Sequence, residues 1–416
     1  NVGTWSKQNP LYPCILVNRI WCHTAIPLLW KDPFFNHPRA DNATLLVDVY
    51  ISGFSPEEFH ALNIRPRNLY SKGLIFNYVK YLRRINITKI HDAVCFWLES
   101  KSELSTDVPI FQSLYRHFVS SAQNIEYIEF GPGSDSAINE NIFILPSAQF
   151  NLCNLENFLC YGEPINNLYS TIAKVSTRIK NLRVSLVDGY PIFSTTLNDL
   201  SNLLRSQKKL ERITLDNQTS CFCCSQDLSS ALDMTNVLIS LESQTSTLSY
   251  IYLGSIDFHN LFPFRQLAKC ENLQELIITR CWNFGSSNYD LMDPTSFARL
   301  SAIELIFSEI PDLLAKTFFV QAGKSLRKIR IRQAPYGMFT ETLKCFAENN
   351  PNITYLSASI NPEEIFVLNK FLNTCQKLKH LELWDKNTPE ERQFGELRYL
   401  MRLVETINVD EFLPQI

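Results

Sequence analysis

Leu248-x-x-Ile251-x-Leu253, Leu273-x-x-Leu276-x-Ile278, Leu300-x-x-Ile303-x-Leu305, Leu326-x-x-Ile329-x-Ile331, Ile353-x-x-Leu356-x-Ala358 and Leu378-x-x-Leu381-x-Leu383 are one phrase written six times between Leu248 and Trp384. The first positions fall 25, 27, 26, 27 and 25 residues apart. The last two apolar positions alternate with others, as a strand with one buried face requires, and the first anchors the approach to that strand. The remainder of each period must carry the chain back to the next strand. Glu341 to Asn349, with Leu343, Phe346 and Ala347, and Pro362 to Thr374, with Ile365, Leu368 and Leu372, space apolar residues as a helix does, which predicts return legs with one stripe against the sheet. No single copy can bury both of its faces, so the copies must stack.

A period of roughly 20 to 29 residues carrying L-x-x-L-x-L resembles the leucine-rich repeat. The resemblance implies an α/β solenoid with a curved parallel sheet on its concave face and mainly helices on its convex face. Earlier copies stand at Leu82-x-x-Ile85-x-Ile87 and Ile125-x-x-Ile128-x-Phe130. Weaker ones follow at Leu155-x-x-Phe158-x-Cys160, around Ile179-x-x-Leu182-x-Val184 and at Leu210-x-x-Ile213-x-Leu215. Between the first two, Asp92 to Glu99 and Val108 to Val119 read as helices, the second with a stripe of Phe111, Leu114, Tyr115 and Phe118. The expected organisation is a helical element over 1–35, a linker and the start of the solenoid over 36–75, and the solenoid with irregular early repeats over 76–416. Within the linker, Leu45 to Tyr50 reads as a short strand and Ser55-Pro56 as a helix start.

Composition narrows the function classes. A chain of 416 residues with 45% hydrophobic residues is too long for one globular core, so repeats or domains are expected. Its net charge of −3 argues against general nucleic-acid binding, which needs a basic footprint. There is no G-x-S-x-G elbow, Walker lysine loop, H-E-x-x-H or G-x-G-x-x-G, so the chain is expected to be no enzyme and to use no cofactor. His91 precedes Asp92 and His259 follows Asp257, but sequence neighbours are not an acid–base pair in space. Cys221, Cys223 and Cys224 lie in the long interval between Leu210 and Leu248. Structural zinc takes four ligands, commonly from two pairs, and without fold-back from Cys270 or Cys281 these thiols read as incidental, so no metal is expected. Twelve cysteines without a short-range framework suit a reducing compartment, and no apolar run is long enough for a bilayer, so a cytoplasmic or nuclear location is expected. The Asn-x-Ser/Thr matches at Asn42, Asn86, Asn217 and Asn352 then read as chance.

The chain opens on Asn1 rather than methionine, which suggests a fragment or a trimmed gene model. After ten uninformative residues, Cys14, Val17, Trp21 and Ala25 recur at helical spacing, and Pro27 is expected to break or end that helix before Leu28-Leu29-Trp30. The order Cys14, Leu16-Val17-Asn18-Arg19, Trp21, Ala25, Pro27, Leu29-Trp30 resembles the C-terminal half of an F-box, in the version of large fungal families where leucine-rich repeats follow. The first helix of that motif, with its Leu-Pro start, has no counterpart in residues 1–10. The resemblance implies a substrate receptor of a cullin-RING ubiquitin ligase, docking on a Skp-type adaptor through Cys14, Val17, Asn18, Trp21, Leu29 and Trp30. An amphipathic cap over the first repeat is the other reading of these residues.

Side-chain alternation puts a second set of residues on the open side of the sheet. It includes Tyr250, Tyr252, Glu275, Lys328, Arg330, Arg332, Tyr355, His380, Glu382 and Trp384, with Ala302, Glu304, Ser357 and Ser359 among them. Tyr, Trp and Arg dominate binding energy at protein interfaces, so this face is expected to hold a protein partner. The three cations of one strand, Lys328, Arg330 and Arg332, could take an acidic segment or be relieved by Glu304 and Glu382. A ligase-independent scaffold or inhibitor using the same face is the alternative function.

Overall fold

The computed structural model describes residues 11–35, 40–64, 75–101, 108–131, 142–162, 167–187, 194–218, 234–258, 263–284, 297–306, 308, 310–332, 344–345, 348–360 and 365–385. It is an α/β protein whose strands run parallel and pair in chain order, in a sheet that does not close. The chain divides into two compact units, Asn1–Leu210 and Glu211–Ile416. The first carries β1 (Arg84–Asn86), β2 (Tyr127–Phe130), β3 (Asn157–Tyr161) and β4 (Asn181–Val187). The second carries β5 (Arg212–Gln218), β6 (Tyr250–Gly254), β7 (Glu275–Thr279), β8 (Ala302–Ile306), β9 (Lys328–Arg332), β10 (Tyr355–Ile360) and β11 (His380–Asp385).

The repeated phrase becomes columns of buried side chains. In the first unit Ile85, Ile128, Phe158 and Leu182 are in register, and each is fully buried. In the second, Ile213, Ile251, Leu276, Ile303, Ile329 and Leu356 form the same column. It ends on Leu381, which is 38% exposed. Each fully buried aliphatic side chain contributes roughly 1.5–3 kcal/mol relative to exposure, and the stacking multiplies that gain along the array.

Two polar devices let the repeats stack without stranding backbone groups. Just before most strands, one carbonyl accepts two N–H groups of the next repeat: Ser249 O from Gln274 and Glu275, Gln274 O from Ser301 and Ala302, Ser301 O from Arg327 and Lys328. At the end of several return legs a buried amide closes loose carbonyls. Asn350 Nδ2 donates to Phe319 O at 2.9 Å and Gly323 O at 2.7 Å, and Gln207 Nε2 to Ser176 O at 3.0 Å. Buried helix ends need such partners. Cys270 and Cys375 occupy the place of Asn350 relative to the following strand, and burial pushes both thiols up to about 12.

Three local expectations are corrected. Residues 45–50 are not a strand but part of helix α2 (Ala40–Ile51). Ala43, Leu46, Val47 and Tyr50 are buried at spacings of three and four, and Asp48 accepts from Trp97 Nε1 at 2.7 Å, a partner distant in sequence. The helix expected from Asp92 starts at Ile87, because the Asn86 side chain caps it by accepting from Lys89 N at 3.0 Å. Ile87 therefore opens a helix, and β1 stops at Asn86. The N-terminal helix also differs. Pro13–Leu16 is a 3-10 turn, and Asn18 Oδ1 caps α1 (Arg19–Leu29) by accepting from Trp21 N at 3.0 Å.

Pro27 sits inside α1 rather than ending it. It forfeits one N–H donor near the C-terminus, and Trp30 N still bonds Ile26 O at 3.0 Å. The helix start at Ser55 is as read, with a capping box in which Ser55 N donates to Glu58 Oε2 at 2.7 Å. Return helices include Val108–Ser121, Asp312–Ala322 and Ile365–Thr374, while the one expected over 341–349 falls mostly outside the described residues. Among the described residues no helix is long and apolar enough to cross a membrane.

Candidate protein-interaction surfaces

The C-terminal end of α1 is bolted to the first unit. Trp30 stacks against Tyr78 with centroids 4.0 Å apart and meets the edge of Tyr50 at 5.6 Å. Lys31 O accepts from Arg83 N at 3.0 Å and Arg84 N at 3.3 Å, repeating at β1 the double acceptance that joins neighbouring repeats within each unit. Lys31 Nζ pairs with Glu126 at 2.8 Å, and Arg84 Nε with Asp32 at 3.2 Å. Burial raises the Asp32 carboxyl above its usual range against the pull of Arg84 and Lys89. Residues 30–32 thus stand in for the edge of a missing preceding repeat.

The outer side of the same element is uncovered. Ala25 and Ile26 face inward, but Leu16, Val17, Ile20, Trp21 and Leu28 are each more than half exposed. Of the six residues singled out from the sequence, Val17, Asn18 and Trp21 lie on this open side, and Cys14 and Leu29 are half-buried. Trp30 belongs to the packing. Leu16, Ile20 and Leu28 are exposed as well, without being singled out by the sequence; for Ile20 and Leu28 the signal is their helical offset from Ala25 and Ile26, legible once the helix frame is known. Exposed apolar groups concentrated on one element mark an interaction site more often than isolated ones do.

The second surface lies on the sheet of the second unit. Across the strands the register gives one row of Arg212, Tyr250, Glu275, Ala302, Lys328, Tyr355 and His380. The next row runs Thr214, Tyr252, Ile277, Glu304, Arg330, Ser357 and Glu382. The Arg212 guanidinium lies 3.7 Å over the Tyr250 ring. Burial and the Asp216 charge raise the Tyr252 hydroxyl. Gly254 leaves room for that arrangement, since a Cβ there would stand 2.8 Å from Tyr252 Cε1.

At β8 to β11 the face is a network rather than a row of free charges. Glu304 pairs with Lys328 Nζ at 2.5 Å and Arg330 Nη1 at 3.3 Å, and Arg330 Nη2 donates to the Tyr355 hydroxyl at 2.9 Å. Tyr355 stacks on His380 with centroids 5.7 Å apart. Burial would raise the Glu382 carboxyl, but the Tyr355 hydroxyl, Arg330 and Arg332 hold it below its usual range. Not every outward position is open: Ala302, Glu304, Ser357 and Ser359 are buried. Small or doubly paired side chains are covered by their long neighbours, which corrects their expected exposure. Trp384 pairs through its backbone position with Ser359, and its side chain lies outside the described residues.

His91 lies beside Cys95, with Sγ 3.8 Å from Nδ1, and packs on Phe111. Among the described residues no group of three or more His, Cys, Asp or Glu is placed to hold a metal ion. Cys221, Cys223, Cys224 and His259 fall outside them. Cys281, one of the thiols considered for fold-back, is buried with its Sγ 3.5 Å from Leu253 O.

A scan against protein-family models finds no match to this chain, and no curated protein matches it significantly.

Proposed function

We propose that the chain is a leucine-rich-repeat substrate receptor of an SCF-type, cullin-RING ubiquitin ligase. Its N-terminal F-box-like element docks on a Skp-type adaptor, and the sheet face of the second unit holds a protein substrate. The observation that carries this reading is the division of labour within the N-terminal element. One end of α1 is locked to the repeats through Trp30 and Lys31, while Leu16, Val17, Ile20, Trp21 and Leu28 stay uncovered. A helix held by one end and apolar on its free side suits a docking module. The receptor performs no covalent step. It brings a bound substrate close to a ubiquitin-loaded enzyme, which raises their effective concentration.

The test is a pull-down of recombinant Skp-type adaptor with wild type, Val17→Asp and Trp21→Ala, with circular dichroism as the folding control. Wild type is expected to bind, and both variants to lose about tenfold or more in affinity while remaining folded. A wild type that fails to bind where an F-box control succeeds would falsify the assignment. That result would favour a ligase-independent repeat scaffold, the reading supported by the way Lys31 O completes the hydrogen bonding of β1 as a plain cap does.

A further inference from the structure

The edge at which the strands begin carries charge differently in the two units. In the first unit the residues just before β2 and β3 are acids, and each has a cation: Glu126 pairs with Lys31 Nζ at 2.8 Å and Glu156 with Lys180 Nζ at 2.8 Å. In the second unit the same places before β7, β8 and β10 hold Gln274, Ser301 and Thr354, while those before β9 and β11 hold Arg327 and Lys379. Arg299, Lys324 and Lys377 join them from the turns before β8, β9 and β11, and all five cations are exposed. Across 271–274, 298–301, 324–327, 351–354 and 376–379 the one acid is Glu271.

The polar contacts on this edge hold the cations in place without neutralising them. Lys377 Nζ donates to Asn352 Oδ1 at 2.7 Å, Asn352 Nδ2 to Lys324 O at 3.1 Å, and Arg327 Nη1 to that same carbonyl at 2.5 Å. Arg299 Nη1 donates to Asn272 Oδ1. Thr354 N bonds Arg327 O at 2.8 Å and Lys379 N bonds Thr354 O at 2.9 Å, so the turns lie side by side. Every one of these acceptors is neutral. Among the described residues of this unit the ion pairs join other groups: Lys269 with Glu242, Lys328 and Arg330 with Glu304, and Lys370 with Glu348.

We propose that the strand-entry edge of the second unit, from Arg299 to Lys379, binds a run of carboxylates in an extended segment of a partner protein. The edge flanks the sheet face and is distinct from α1, so the inference goes beyond the receptor reading and does not rest on a ligase role. Strands β8 to β11 are consecutive in the sheet, and three spacings of about 4.8 Å make roughly 14 Å, which an extended segment of about five residues spans. Cations set on both sides of Asn352 and Thr354 meet such a run through charge-assisted hydrogen bonds. A nucleic acid fits less well. None of the residues in these turns is aromatic, so bases have nothing to stack on, and a chain of net charge −3 gives a long polyanion no general attraction.

The experiment is fluorescence anisotropy of the full chain with a labelled peptide carrying a run of Glu, beside the same peptide with Gln for Glu and a single-stranded oligothymidylate of equal charge, with circular dichroism on each variant. The Glu peptide is expected to bind, more weakly as salt rises, and the Gln peptide not. Arg327→Glu and Lys379→Glu should each weaken binding about fivefold, and Glu271→Lys should tighten it about threefold, a gain that misfolding does not mimic. Lys370→Glu, the same change of charge on the return helix Ile365–Thr374, should leave affinity unchanged. No binding of the Glu peptide, equal binding of the Gln peptide, equal or tighter binding of the oligonucleotide, or a loss with Lys370→Glu equal to that with Arg327→Glu overturns the proposal. The chain is assayed without adaptor, so failure here leaves the docking of α1 untouched, and failure of docking leaves this measurement untouched.

Discussion

The outer side of α1 and the face of β9 both present large side chains outward, by opposite physics. On the N-terminal element the large exposed groups are apolar: Val17 just before α1, and Ile20 and Trp21 on it, remain in water. On β9 the exposed groups are cations whose demands are largely met inside the sheet, by Glu304 and by the Tyr355 hydroxyl. The first surface gains its full free energy only when something covers it. A charged partner on the second would have to exchange one set of ionic contacts for another, which sets selectivity more than affinity. A search for interaction sites that counted only charges would have ranked them in reverse order.

The largest effect that sharpens this contrast comes from two tryptophans nine residues apart on one element. Trp30→Ala should cost about 2–3 kcal/mol in denaturant unfolding, since it empties the space between Tyr50 and Tyr78. Trp21→Ala should stay within about 0.5 kcal/mol while removing adaptor docking. Comparable destabilisation by both would break the distinction between packed and open sides of the helix.

Next in size is Glu304→Ala, which leaves Lys328 and Arg330 facing one another without their shared acid. A loss of about 1–3 kcal/mol is expected, held below the cost of breaking a fully buried pair because both cations are about a third exposed. Glu382→Ala, measured the same way, should change stability much less. If the two carboxylates prove equal, the contrast between a buried acid and a half-exposed one fails.

The smallest effect separates the units by pH. His117 lies in the first unit against the edge of Phe54, with centroids 5.7 Å apart, and burial lowers its pKa from 6.5 despite the nearby Glu58 charge. A base with a depressed folded pKa stays neutral in the native state while the unfolded chain takes up a proton. Its contribution is therefore intact above the unfolded value and lost as pH falls from there through the folded one. Amide hydrogen exchange at pH 7 and pH 5 should show the first unit loosening on acidification, and His117→Gln should remove that loosening. An unchanged pH response in the variant would assign the loss to other groups.

Much of this molecule was legible in its sequence, for a reason visible in the buried columns. Leu276 and Ile278 are recognisable because neighbouring copies repeat the same demand at the same period, so register follows from pattern alone. Residues 45–50 were misread because a short apolar run suits either a strand or a helix, and what decides it is Trp97 reaching back to Asp48. The role of Lys31 was invisible, since a backbone carbonyl has no sequence signature. The exposure of Ile20, as great as that of Val17 and Trp21, does not follow from the sequence spacing, because the frame of α1 begins after a cap at Asn18.

By itself the sequence determined the parallel strand order, the buried positions of the inner repeats and the outward register of the rest, because these follow from periodic burial within a short span of chain. Only the tertiary structure decided which outward residues stay open. Exposure is settled by the strand next door, some 25 residues away in sequence, whose side chains either lie across a neighbour, as Lys328 and Arg330 do over Glu304, or leave it bare.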